Sequence, residues 1–306
     1  MVLHAIYYTG IYARKQAFGD RIRAGDRDRE SAPAMDGAAT LAYYRRMIGF
    51  LLKKHFYDVW DNMLRIVLVN LGFLVSLLIP GFLFGLISIS PLFIPVFALG
   101  ILWCFVYLAA AALSLKSVSD YGSFGFGDFL ANVKAGLKAG VTLGLTVILL
   151  VLMPLVIIPF YWRMGNLLGF LLAAVIFWTF LLTSISLQFF LAVRARLDTK
   201  TKKIFKKCFI IFFDNQGFAI FSLLHSILLI ALSVITAGLF PGPAGVLLFL
   251  DEGLRLRLLK YDWLDANPPT EPTRRRRRIP WDAILIDERE KTGTRTLKNL
   301  VFPWKD

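Results

Sequence analysis

The sequence predicts an all-α fold: a polytopic transmembrane helical bundle with six spans arranged as three hairpins and amphipathic helices on its inner face. Three observations carry that reading, namely the apolar excess, the length of the apolar runs and the sorting of the cations. Hydrophobic residues make up 57% of the 306, Phe alone occurs 27 times, and the mean hydropathy is +0.62. A soluble domain sits at about 45–50% apolar, so the excess calls for lipid as part of the solvent. The N-terminal stretch is charged and has no short apolar segment with a small-residue cleavage site, so no cleavable signal peptide is expected.

Apolar runs cover residues 65–87, 92–115, 140–162, 167–193 and 217–239. Each matches the roughly 20 residues that a helix rising about 1.5 Å per residue needs to cross a hydrocarbon core. Five such helices in a soluble protein would need a polar shell that the remaining residues cannot supply. A sixth run, Val246 to Leu250, is too short to span alone and meets Asp251, Glu252, Arg255 and Arg257. Charge placement argues for it nonetheless. With the chain starting inside and crossing six times, the outer loops at 88–91, 163–166 and 240–245 hold a single basic residue, Arg163. That is the asymmetry of the positive-inside rule, and it places both termini on the cytoplasmic side. A re-entrant loop around 241–245 gives the same side for the tail.

The runs also read as one unit used three times. An Asn lies near the inner end of each hairpin (Asn62, Asn132, Asn215) and a Pro near its outer end (Pro80, Pro154, Pro241). Hairpin turns favour Pro and Gly on their own account, which produces the same look.

The inner loops carry the charge. Residues 194–215 hold seven cations, including Lys203, Lys206 and Lys207, interleaved with Phe205, Phe209, Ile210, Phe212 and Phe213. Such a segment lies in the headgroup layer of an anionic leaflet, although topology anchoring alone accounts for the same pattern. In the loop at 121–128 the glycines lack the register of a phosphate-binding fingerprint, so a turn leading into a helix is expected. The tail has a Pro-rich linker, then Arg274, Arg275, Arg276, Arg277 and Arg278, then Pro280-Trp281 and Pro303-Trp304. Anionic lipid is the expected contact of the arginines, ahead of nucleic acid, because the run is short, juxtamembrane and followed by acids. Trp281 and Trp304 predict a tail that folds back under the inner loops or docks a protein partner.

Polar residues within the apolar runs are the candidates for chemistry, since ionisable groups at bilayer depth tend to be functional. These are Asn70, Gln188, His225, and Asp251 with Glu252 and Arg255. The bland readings are a His bonded to a hydroxyl or carbonyl, and Asp251 neutralised by Arg255 four residues on. Cys104 and Cys208 are far apart, no His or carboxylate set has metal-ligand spacing, and no nucleophile elbow appears. The sequence thus supplies no support for an enzyme, a cofactor or a metal. Gly136, Gly140 and Gly144 recur every four residues, as do Gly81 and Gly85, small faces that let helices pack closely within the bundle or between protomers of an oligomer. Pro154 and Pro159 can kink the third run.

The segment Tyr57-Asp58-Val59-Trp60-Asp61-Asn62, running into residues 66–74 with Asn70 inside and Pro80 beyond, resembles the opening of the YesL family of bacterial membrane proteins. The likeness extends over residues 50–259 as hydropathy and is residue-level only in that opening. It implies a compact multi-span bundle with an accessory role beside carbohydrate uptake; the long basic tail departs from the family pattern.

The expected organisation is a charged segment at 1–46, disordered or ahead of the true start at Met47, a transmembrane domain at 47–264, and a basic cytoplasmic tail at 265–306. The expected function is a non-catalytic accessory or assembly component of a transport or envelope complex; the alternative is a small transporter or channel.

Overall fold

The computed structural model describes residues 37–87, 89–90, 92–267, 279–293 and 295, and all regular structure among them is helical. Five stretches are long and apolar enough to cross a membrane: Met63–Ile87, Phe93–Ser119, Phe126–Trp162, Leu167–Arg196 and Gln216–Ile235. These are the five runs expected from sequence, while the sixth segment, Gly242–Ala266, is long enough but too charged to join them. The chain divides into two compact units, residues 54–255 and residues 1–53 with 256–306.

Helix α1 is Gly37–Asp61, beginning ten residues ahead of the boundary drawn at Met47. A one-residue break at Asn62 separates it from α2, Met63–Ile87, and the Asn62 side chain donates to the Asp58 carbonyl at 3.0 Å across the break. Helix α3, Phe93–Ser119, returns antiparallel to α2: the Tyr107 hydroxyl donates to the Val69 carbonyl at 2.9 Å, and the Trp103 indole to Ser76 Oγ at 3.3 Å. Helix α4, Phe126–Leu152, lies closest of all to α3, because Gly136, Gly140 and Gly144 face it. A Cβ on Gly140 would sit 2.5 Å from Val106 Cα, a spacing only glycine permits. The predicted small-residue face is therefore used inside the bundle, whereas Gly81 and Gly85 have nothing within 4 Å of a would-be Cβ.

Past α4 the chain widens into a π turn, Met153–Ile157, around Pro154, whose missing N–H breaks the regular ladder. The short helix α5, Ile158–Trp162, completes this element. Helix α6, Leu167–Leu187, starts at Asn166, whose side chain accepts from the Gly169 N–H at 2.8 Å. Then follow α7, Phe190–Arg196, α8, Thr201–Asp214, and α9, Gln216–Ile235. Helix α8 is amphipathic: it buries Ile204, Cys208, Ile211 and Phe212 and exposes Lys202, Lys203 and Lys206.

Asn70 in α2 fixes the turn from α9 into α10, Gly242–Ala266. Its amide donates to the Leu239 and Pro241 carbonyls at 2.9 and 2.7 Å and accepts from the Ala244 N–H at 2.8 Å. Gly242 is required there: its φ is +62°, and a Cβ would meet the Asn70 amide at 2.3 Å. Gly238 of the same turn rests on Leu74. This turn lies beside the first half of α2, which continues thirteen residues beyond Leu74 to Ile87, about 20 Å at 1.5 Å per residue. Val59, Ile66, Val69, Ala111, Leu115, Val118, Ala244 and Leu248 form the apolar core next to it.

In the second unit, α11, Trp281–Ile284, and α12, Ile286–Thr292, pack with the 46–53 part of α1. Arg46 bonds Asp282 at 2.5 Å, Arg289 bonds the other Asp282 oxygen at 3.1 Å, and Lys53 donates to the Gly293 carbonyl at 3.2 Å. Trp281, Ile284 and Leu285 are buried within this unit, where the contacts of the segment are with α1. Residues 1–36, the arginines at 274–278 and Trp304 lie outside the described residues.

Candidate functional site

The last two turns of α1 place Lys54, His55 and Asp58 on one side of the helix, within the 54–255 unit. Lys54, fully buried, bonds Asp58 Oδ2 at 2.5 Å, an i,i+4 pair. Its ammonium also lies 3.8 Å from the centre of the Tyr121 ring, a cation–π contact in a dry setting. Tyr121 closes α3 with φ +62°, the left-handed backbone that a bulky side chain adopts only when its surroundings hold it. His55 Nδ1 is 3.0 Å from Glu252 Oε2 of α10, and Asp58 is within hydrogen-bonding reach of the same Glu252.

Arg196, at the end of α7, organises the adjoining half. Its Nε and Nη2 grip both oxygens of Asp251 at 2.8 and 2.5 Å, while Nη1 reaches Asp120 at 3.0 Å and Nη2 also reaches Ser119 Oγ at 2.8 Å. Arg255 bonds Asp120 and donates to the Ser119 carbonyl at 3.0 Å. The expected Asp251–Arg255 neutralisation is thus replaced by two longer-range pairs, Asp251–Arg196 and Asp120–Arg255. The planar guanidinium of Arg196 takes Asp251 bidentate, and Arg255 lies closer to the end of α3.

His225 of α9 stacks on Phe221, lies 4.2 Å from the Phe249 ring, and has its ring centre 6.1 Å from that of His55. The Nε2 atoms of His55 and His225 are buried without a hydrogen-bond partner. Burial pushes the His55 imidazole down to about 4, against the pull of Asp58 and with the push of Lys54. Burial and then the neighbouring Glu252 carboxyl push Asp58 up to about 7, against the pull of Lys54. Both shifts run in the direction that favours an uncharged imidazole and a proton on the carboxyl side.

Of the residues singled out from sequence, Asp251, Glu252 and Arg255 belong to this cluster and His225 borders it. Asn70 holds the α9–α10 turn, and Gln188 ties α6 to α9 by donating to the Ile185 and Ala219 carbonyls at 2.8 and 2.9 Å. Lys203 and Lys206 are exposed on α8, and Lys207 sits 3.6 Å from Asp198. Sequence reasoning missed Lys54, His55, Asp58, Tyr121 and Arg196 as site residues. The signal available was Lys54 and Asp58 at i,i+4 beside His55, which read as an ordinary cationic anchor ahead of the first span. At the end of α3 an open cleft of about 710 Å³, lined by Lys116, Asp120, Asp128 and Asn132, borders the loop predicted as a turn into a helix, and Asp128 caps α4 by accepting from the Gly125 N–H at 2.8 Å. Among the described residues no group of His, Cys, Asp or Glu could hold a metal ion, and both cysteines are buried thiols.

No family model matches the chain, and no curated protein or solved structure does either.

Proposed function

We propose that the chain is a multi-pass protein of the bacterial inner membrane, both termini cytoplasmic, that serves as a non-catalytic accessory or assembly component of a transport or envelope complex. Lipid is the solvent that suits its surface: Leu78, Phe82 and Val234 are 70, 72 and 76% exposed on two of the candidate spans, and exposed large apolar side chains line all five, an apolar surface far too extensive for water. The observation that carries the accessory reading is the use of the polar groups inside the apolar helices. Asn70, Gln188, Asp251 and Arg255 are each spent on holding this chain's own turns and helix ends.

The YesL-like opening supports the same role beside an uptake system. The third hairpin, α9 with α10, is better read as re-entering from the inner face than as a full crossing, since its turn stops beside the first half of α2. The cations of α8 and the arginine run then meet anionic lipid at that face, each contributing about 1 kcal/mol. Gly81 and Gly85 offer a small, uncovered face for an oligomer.

Purification of the full chain in mild detergent tests the role. A stable complex with a second membrane or cytoplasmic protein is expected; a lone monomer that conducts a solute in vesicles contradicts it. A second reading, a small transporter, is favoured by His55 and His225, whose free Nε2 atoms are not spent on the fold. It predicts flux that falls on replacing His225. Cysteines at Gly238 and Ile87 separate the two topologies, because a re-entrant turn leaves only position 87 labelled from outside.

A further inference from the structure

Arg196 neutralises Asp251, and Arg255 neutralises Asp120. Within the 54–255 unit Lys54 is then the cation that bonds this carboxyl pair, Asp58 and Glu252, through Asp58, while Arg196 adds a smaller charge effect on Glu252. Glu252 and Lys54 are both fully buried and His55 is 5% exposed, so bulk water screens none of them. Glu252 Oε2 meets His55 Nδ1, and the Asp58 carboxyl lies within hydrogen-bonding reach of the same Glu252. Two carboxylates this close, buried and sharing one ammonium, cannot both stay ionised; a proton on either one satisfies the other.

We propose that Asp58, Glu252 and His55 form a proton-binding site that holds one exchangeable proton between the two carboxyls and releases it through the imidazole. With the proton bound, the site is neutral: one ammonium, one carboxylate, one carboxylic acid and a neutral His55. On release, the proton passes from Glu252 Oε2 across 3.0 Å to His55 Nδ1, which leaves a carboxylate and an imidazolium in contact. When the proton departs from the ring, one uncompensated negative charge remains. The groups that face the site from each packed element are Lys54 and Asp58 on α1, Asp120 and Tyr121 at the end of α3, Arg196 on α7, His225 on α9, and Asp251 and Arg255 on α10. None of the cations among them is free to take the place of the proton, because each arginine already grips its own carboxylate. The raised Asp58 and lowered His55 agree with the proton resting on the carboxyl side.

This inference goes beyond the accessory role and holds for a transporter equally, so it is tested on the isolated chain. Infrared spectra of the full-length protein in mild detergent, recorded from acid to alkaline pH, read protonated carboxyls directly. A protonated-carboxyl band that persists at neutral pH and shifts in heavy water is expected in the wild type. In Glu252→Gln and in Asp58→Asn the band is expected to vanish or to titrate at least one pH unit lower, since a single carboxyl then has Lys54 to itself. A wild-type spectrum without protonated carboxyl at neutral pH overturns the proposal whether or not the variants fold. A band that either substitution leaves unmoved overturns it as well.

Discussion

Lys54 and Asp58 show how much of the site hangs on single residues. They sit one helical turn apart in a segment that passes for an anchor, yet Lys54 is sealed from water and Asp58 faces a second acid. Two opposite pH dependences follow. Asp58, raised from 3.8 to about 7, keeps a proton that the unfolded chain has lost, so its contribution to stability declines as pH rises through that window. His55, lowered from 6.5 to about 4, is neutral where the unfolded chain is charged, so its contribution grows as pH rises from about 4 to 6.5. The two offset each other in the wild type. Melting curves are expected to show Asp58→Asn gaining stability as pH rises through the His55 window, and His55→Gln losing stability from about pH 4 to 7. Slopes of the same sign in both variants contradict this assignment. Asn70 acts by hydrogen bonding alone: Asn70→Leu strands two carbonyls and an N–H, which costs about 2–4 kcal/mol. Unfolding in a denaturing detergent measures that loss, and an unchanged midpoint would refute the role given to the amide.

At the scale of elements, the helices were legible and their partners only in part. Hydropathy and length are local, so the five runs, the amphipathic α8 and the glycine face of α4 could be read directly from residue order. Gly140 is the clearest case, because a four-residue glycine spacing has few uses other than close packing. Gly140→Leu should cost about 1–3 kcal/mol by overpacking against Val106, whereas Gly85→Leu, in open space, should leave the melting point unchanged. Equal effects from the two would remove the distinction between a used and an unused small face. What pattern could not give was long-range pairing. Arg196 meets Asp251 across 55 positions and His55 meets Glu252 across 197, and no spacing rule spans such distances. The three asparagines that suggested a repeat also diverge: Asn62 bridges a helix break, Asn132 donates to Ser114 Oγ, and Asn215 donates to its neighbour Asp214.

For the whole molecule, composition and the five long apolar helices point to lipid around the candidate spans. The buried charges at the helix ends fit that setting, since ion pairs hidden from water persist only when geometry and partners are in place. The tail adds a small packed piece around Trp281 in which Arg46 and Arg289 clasp Asp282. Burial opposes the ionised form of Asp282, but the two guanidinium bonds outweigh it and hold the carboxyl below its ordinary value. The most direct measurement of the central claim is alkaline carbonate extraction of membranes from cells making the full chain. Retention in the lipid pellet, with release only by detergent, is the predicted result; recovery in the aqueous supernatant would contradict a bundle whose outer faces are solvated by lipid.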